Sequence, residues 1–477
     1  MANFIGRDKE LAALNLLANK KTASIAVVKG RRRIGKSRLV EEFAKDKHFL
    51  KFSGIPPTDN VTAQSQRDVF AKQLSVQLGL PGLNAHDWAD LFTLLAKQTT
   101  EKQTVILFDE ISWMGSHDPT FLGKLKNAWD MEFKQNNQLI IILCGSVSTW
   151  IEKNIVKSTA FFGRISLHLT LQDLPLTDSA KLLALQGFKS SPYEMFKVLS
   201  VTGGIPWYLE HIQESLSADE NIKNLCFKSS GILVKEFDLI FHDLFSKRNA
   251  AYKEIVEVLS SGHMELNEIR KEINYPRSGV ISTYLENLKE AGFISRDFTW
   301  NIKSGEVARL SHFRLSDNYL RFYLKYIVHN LDKISRDELD DISMTSLRNW
   351  DIMMGLQFEN LVLKNRKLIK ERLRLRVEDI VVDNPYFQCK STHHARCQVD
   401  YLIQTRFKVL YVCEIKFSIN EIKSDIIKEM QNKVERLKLP HGFACCPILI
   451  HVNGVQNSVV DSGYFTEVID FGEFLKG

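Results

Sequence analysis

The chain has 477 residues, too many for one ordinary hydrophobic core, and about three domains follow from the usual size of a domain. A hydrophobic fraction of 44% beside 25% charged residues excludes a disordered or fibrous polymer. The net charge of +6 permits contact with nucleic acid but is small for such a length.

No run reaches the eighteen or so apolar residues of a membrane span, and the N-terminus lacks a basic stretch followed by an apolar one. The expectation is a soluble, cytoplasmic protein with no membrane partner. Seven cysteines without a Cys-x-x-Cys pair fit reduced thiols. Cys389, His393, His394 and Cys397 are close enough for a metal clip, but the second half of a zinc site is absent and a polar loop is the expectation.

Along the chain, the β-branched run Ser24–Lys29 ends directly at Gly30, and helical spacing takes over after Ser37. Between them lies Gly30-Arg31-Arg32-Arg33-Ile34-Gly35-Lys36-Ser37, a glycine loop between strand and helix. Its backbone N–H groups and the helix N-terminus make a cradle for β- and γ-phosphates. Gly30 and Gly35 let the backbone turn close to phosphate, Lys36 brings a positive charge, and the Ser37 hydroxyl is placed to ligate magnesium. The arginines 31, 32 and 33 admit two readings, a nucleotide contact or solvated loop charge. The nucleotide is expected to be ATP.

A second strand, Thr104 to Phe108, delivers Asp109 and Glu110 at its C-terminal end, where ligands of parallel sheets sit. This is a Walker B arrangement, with Asp109 holding magnesium and Glu110 polarising the attacking water. A third strand, Leu139 to Cys144, ends in Gly145-Ser146; Ser146 is either a γ-phosphate sensor or part of a plain turn.

Together with Phe4-Ile5-Gly6-Arg7 and Gly203-Gly204-Ile205-Pro206, these pieces resemble the archaeal-type ATPase family of the AAA+ and STAND group. The resemblance implies that Arg7 and Pro206 lie near the adenine. It also implies that Gly163-Arg164 brings an arginine near the γ-phosphate, in its own subunit or in a neighbouring one, so a homo-oligomer is one arrangement it allows.

Helical spacing from Ser179 to Leu185 and from Tyr193 to Leu199 suits a small lid over residues 167–245, behind a core of residues 1–166. Residues 246–325 read as a winged helix: three short helices, then a strand from Gly292 and a hairpin through Lys303-Ser304-Gly305. Its last helix presents Arg277, Ser278, Ser282, Tyr284 and Asn287 for DNA, beside Glu286 and Glu290; DNA contact and a spacer role both stay open. The aromatic segment from Phe313 to Tyr323 resembles the linking segment of the same ATPases.

In residues 345–477 the strands Cys397 to Ile403 and Val409 to Lys416 carry Asp400, Glu414 and Lys416, and alternation puts the last two on one face. A helix opening near Gly355 carries Glu359. Asp400 and Glu414 are a candidate magnesium pair, Lys416 a candidate to activate water, and Glu359 an orienting group. The set resembles the PD-(D/E)XK restriction-endonuclease-like fold, with Val399 in place of the usual proline and Gln431 at a further helical position.

The expected fold is α/β: a P-loop parallel sheet with a helical lid, then a winged helix, then an endonuclease-like domain. The expected function is an ATPase coupled to DNA binding and magnesium-dependent DNA cleavage. The competing expectation is a STAND-like signalling switch whose C-terminal domain binds partners without cutting DNA.

Overall fold

A computed structural model of the chain describes residues 4–58, 60–99, 103–146, 148–245, 249–276, 279–390 and 395–476. Two compact units divide it, Met1–Gln172 and Asp173–Gly477.

The first unit is built on five strands: β1 (Ser24–Lys29), β2 (His48–Ser53), β3 (Thr104–Asp109), β4 (Leu139–Gly145) and β5 (Ile165–Thr170). All pair in parallel, in the order β2-β3-β4-β1-β5. Every residue of β1, β3 and β4 is buried, which is why these segments read as unbroken apolar runs rather than alternating ones. One face is covered by the helices Ala63–Leu78, Trp88–Lys97 and Phe121–Met131. Phe70, Trp88, Phe92 and Phe121 interlock there with Phe52 and Phe108. Each such ring contributes roughly 1.5–3 kcal/mol by burial. Because β5 completes this sheet, the unit runs to Gln172 and not to residue 166 as expected.

The second unit opens with helices Leu176–Leu185, Pro192–Thr202 and Ala218–Cys226. Ser191 and Ser217 cap the latter two through their side chains. Helices Asn249–Leu259, Leu266–Glu272 and Val280–Glu290 follow, with β6 (Met264–Glu265), β7 (Ile294–Trp300) and β8 (Val307–Leu315) in the antiparallel order β6-β8-β7. Arg277 and Ser278 lie outside the described residues, as do His393 and His394. Two other residues expected to face DNA do not: Tyr284 is buried, and Asn287 donates to the Tyr252 hydroxyl at 2.6 Å. The helix is amphipathic, and both turn to its packed side.

The C-terminal part carries the helix Trp350–Lys364 and a mixed sheet of β9 (Ile380–Gln388), β10 (Cys397–Thr405), β11 (Val409–Lys416), β12 (Ala444–His451) and β13 (Glu467–Asp470). Its order is β13-β12-β11-β10-β9; β9, β10 and β11 are antiparallel, and β11, β12 and β13 parallel. The helix Asp425–Arg436 makes the crossover between β11 and β12.

These parts pack on one another within the second unit. Trp300 and Ile302 of the β7–β8 hairpin belong to one core with Val399, Leu402, Val412 and Met430. Trp300 Nε1 donates to Gln404 Oε1 at 2.7 Å, Gln404 Nε2 to the Ile302 carbonyl at 2.9 Å, and Thr299 Oγ1 to the Phe387 carbonyl at 3.0 Å. The Trp350 helix is fastened in turn to the helix Pro192–Thr202. Gln357 Nε2 donates to the Ser200 carbonyl at 2.8 Å, and Phe358 meets Phe196 edge-on at 5.1 Å. No helix among the described residues is long and apolar enough to cross a membrane.

Candidate functional site

The phosphate loop leaves β1 at Lys29. A side chain on Gly30 would place its Cβ 2.8 Å from the Leu171 carbonyl oxygen, so only glycine fits. Gly35, at φ 88°, opens the helix Lys36–Ala44 from the left-handed region, and Arg33 shares that region at φ 69°. The two turns curl the loop over the helix N-terminus. Lys36 is buried and donates to the Arg31 carbonyl at 3.1 Å, inside the loop. Arg31 is itself buried, which excludes the solvated reading for that arginine; Arg32 and Arg33 are half-buried. Ile34 is fully buried and anchors the loop.

The strand ends converge as the sheet order requires. Ser37 Oγ donates to Asp109 Oδ2 at 2.7 Å. Glu110 sits at φ 50°, a conformation that non-glycine residues rarely hold, and its Oε2 accepts from Ser146 N at 3.0 Å and Ser146 Oγ at 2.9 Å. The ends of β3 and β4 therefore hold each other through the two residues expected to serve water and phosphate. A hydroxyl and a carboxylate in contact are oxygen donors of the kind magnesium takes, so Ser37 and Asp109 fit the ion. Lys51, unforeseen, lies with Nζ 3.8 Å from Asp109 Oδ2; its only signal was a charge inside the strand His48–Ser53. Burial works against its charge, but Glu41 and Asp109 outweigh it and raise its pKa.

Arg7 reaches the loop's backbone: Nη2 donates to the carbonyls of Ile34 at 3.2 Å and Gln172 at 2.6 Å. Arg164 is a different case. It precedes Ile165, which pairs with Ile25 at the start of β1, whereas the loop leaves the other end of that strand. A strand's length, about 15–20 Å, separates it from Lys36, so the version of the expectation that puts it in its own subunit's site does not hold. Its Nε and Nη2 grip Asp130 at 2.9 and 2.7 Å, and this guanidinium holds the Asp130 carboxyl well below the usual carboxylate range. Pro206 opens the short helix Pro206–Leu209 of the second unit.

A second ionic cluster lies in the C-terminal sheet. Tyr401 pairs with Cys413, which sets Asp400 opposite Glu414 across β10 and β11. Asp400 Oδ2 accepts from Ile415 N at 3.0 Å. Lys416 Nζ lies 3.1 Å from Glu414 Oε1 and 3.0 Å from Glu429 Oε2. Lys433, on the helix Asp425–Arg436, contacts Glu414 Oε2 and lies 3.6 Å from Asp400 Oδ1. Sequence reasoning missed it and named Gln431, which is exposed. A sign was present: Glu429 and Lys433 are one turn apart on the same helix, matching the alternation of Glu414 and Lys416.

Glu359 comes from the Trp350 helix and is nine-tenths buried, with its Oε1 3.6 Å from His263 Nε2. Burial and the charge of Asp400 push its pKa up to about 8. Burial and the charge of Glu414 push Asp400 up to about 6. The same two carboxylates raise Lys433 although burial opposes it. Among the described residues no three His, Cys, Asp or Glu side chains converge as a metal cage, either here or near Cys389 and Cys397.

Residues 4–212 match the family described as an ATPase domain predominantly from Archaea. An uncharacterized protein of Methanocaldococcus jannaschii is 26% identical over 341 residues, 71% of this chain and 72% of its own length. The Walker-type ATPase of Pyrococcus abyssi is similar over 67% of this chain and 96% of its own, with 17% identity and a TM-score of 0.49. The ORC2 protein of Aeropyrum pernix is similar over 71% and 97%, with 12% identity and a TM-score of 0.41. A STAND protein with a tetratricopeptide repeat sensor from Pyrococcus horikoshii is similar over 79% and 51%, with 17% identity and a TM-score of 0.32. The family match covers the part of the chain that holds the phosphate loop and supports an ATPase domain there.

Proposed function

We propose that this ATPase acts on DNA, with nucleotide hydrolysis in the first unit governing a metal-dependent phosphodiesterase site formed by Asp400, Glu414 and Lys416. The observation that carries the reading is the pairing of β10 with β11, which opposes the two carboxylates while Lys416 shares the face of Glu414.

At the ATPase site the chain's own groups divide the work. Lys36 exchanges the Arg31 carbonyl for phosphate oxygens, and the loop's N–H groups and helix N-terminus hold the anion. Magnesium, held by Ser37 and Asp109, neutralises phosphate charge when bound. Glu110 orients the water, and its bonds to Ser146 link that orientation to whatever Ser146 senses at the γ-phosphate. Arg164 serves a neighbouring subunit, released from or carried with Asp130.

Three helices and an antiparallel hairpin over residues 249–315 support the winged-helix reading. The hairpin is committed to the C-terminal sheet through Thr299, Trp300 and Ile302, so contact with DNA falls to the helix Val280–Glu290. In the C-terminal cluster, oxygen donors from Asp400 and Glu414 suit a hard cation, Lys416 positions water, and Glu359 supports from behind.

The signalling reading is favoured by one specific observation. The solvent face of that helix carries Ser282, Thr283, Glu286 and Lys289, and the last two form an ion pair at 3.1 Å, which leaves no basic stripe for DNA. Linear, nicked and single-stranded DNA incubated with magnesium or manganese, with and without ATP, decides between them. Cleavage lost in Asp400→Asn supports the nuclease; intact DNA under every condition leaves the partner-binding switch.

A further inference from the structure

All four carboxylate oxygens of the Asp400–Glu414 pair are already engaged by groups of the chain itself. Asp400 Oδ2 takes the Ile415 N–H at 3.0 Å and Oδ1 faces Lys433 at 3.6 Å; Glu414 Oε1 faces Lys416 at 3.1 Å and Oε2 contacts Lys433. The two lysines differ in placement. Lys416 divides its charge between Glu414 and the exposed Glu429, whereas Lys433 bridges the two opposed carboxylates. Two carboxylates opposed across a strand pair, Glu414 buried and Asp400 half-buried, repel and lose hydration, and a compensating cation offsets that cost. Beside them, Glu359 Oε1 is buried without a hydrogen bond and faces His263 Nε2 at 3.6 Å.

We propose that Lys433 is the resident counter-ion of this site, occupying the place of a divalent cation and having to withdraw before one can enter. The inference rests on the phosphodiesterase reading above. An ammonium and a dication on the same two oxygens exclude each other by repulsion at contact distance. Lysine suits the role because it is a point charge on a flexible stem. Its side chain is already one-fifth exposed, so withdrawal means rotation toward solvent and leaves the sheet undisturbed. Once withdrawn, the ammonium stands at the rim of the site, where a phosphate would meet it. The helix Asp425–Arg436 thereby sets when the site can load.

Manganese binding to the nucleotide-free full-length protein tests this, read by titration calorimetry and by the spin signal of the free ion. The Asp400→Asn and Glu414→Gln double variant identifies which binding belongs to this site. Lys433→Met is expected to bind manganese there at least about tenfold more tightly than wild type, the size of an ordinary coupling between exclusive occupants. Lys433→Arg, which keeps the charge, is expected to stay near wild type, whereas tighter binding in the neutral variant is an outcome that a merely structural lysine would not produce. If Lys433→Met does not fold, Lys433→Gln takes its place in the same comparison. Equal or weaker binding in the neutral variant overturns the gate and leaves the metal site standing. No binding that depends on Asp400 in any protein overturns both.

Discussion

The two ionic sites hold their charge in opposite ways. In the phosphate loop a buried lysine rests on a neutral backbone carbonyl, so its positive charge is available to an anion without the breaking of an ion pair. In the C-terminal cluster each carboxylate oxygen is already matched, and two lysines stand against the opposed acids. The first site is poised for its ligand, while the second is closed on itself and, on the reading proposed above, has to exchange one cation for another. A poised site can bind at once; a self-neutralised one can be regulated by whatever moves its internal partner.

Removing the poised charge should have the largest effect. Lys36→Ala is expected to weaken ATP binding by more than about a hundredfold, whereas Glu110→Gln keeps the affinity and loses turnover by a similar or larger factor. Fluorescent-nucleotide titration and phosphate release separate the two, and unchanged affinity in the lysine variant would remove the site assignment.

At the closed site Asp400→Asn should lose both DNA cleavage and stabilisation by divalent ions, while Lys416→Met keeps the ion and loses cleavage by about 10²- to 10⁴-fold. Thermal melts with and without manganese, alongside a cleavage assay, report the split. Should both variants lose the ion equally, the division of roles between acid and lysine is wrong.

Arg164→Ala sharpens the comparison from outside either loop. It should slow turnover by about tenfold or more, with nucleotide affinity nearly unchanged, and only at protein concentrations where subunits associate. A loss that is independent of concentration would point back to an action within one chain.

The smallest expected effect is in pH dependence. Glu359 has a folded pKa pushed from 4.5 up to about 8. Protonation is thus favoured in the folded state: its contribution to stability is full below about 4.5 and is lost as pH rises through about 8. Asp400, raised to about 6, acts in the same direction. Between pH 5 and 8, urea melts of the metal-free protein should therefore lose on the order of a few kcal/mol, and Glu359→Gln should flatten that slope. A slope unchanged in the variant would place the titration elsewhere.

The ATPase site was legible because its parts are contiguous. Eight residues in a row, with a strand before and a helix after, specify a backbone shape, and Asp109-Glu110 and Gly145-Ser146 follow strands so apolar that their ends could be placed. Strands β10 and β11 were legible for the same reason. Strand β9 was not, because Pro385 interrupts it; on the edge of a sheet a proline costs no ladder bond, a fact that local pattern does not reveal. The amphipathic Val280–Glu290 helix was visible, but not which of its polar residues turn inward to meet Tyr252.

By itself, then, the sequence determined the identity of the phosphate loop, the α/β character of both ends of the chain, and the order of Glu359, Asp400, Glu414 and Lys416. These depend on periodicity and on residues adjacent in the chain. Tertiary structure alone decided that Arg164 stands at the far end of β5, that the hairpin after the third helix is spent on the C-terminal sheet, and that Lys433 closes the acidic pair. Each depends on which strands neighbour one another and which helix face turns inward, and those follow from packing the whole unit around one core, not from any local run of residues.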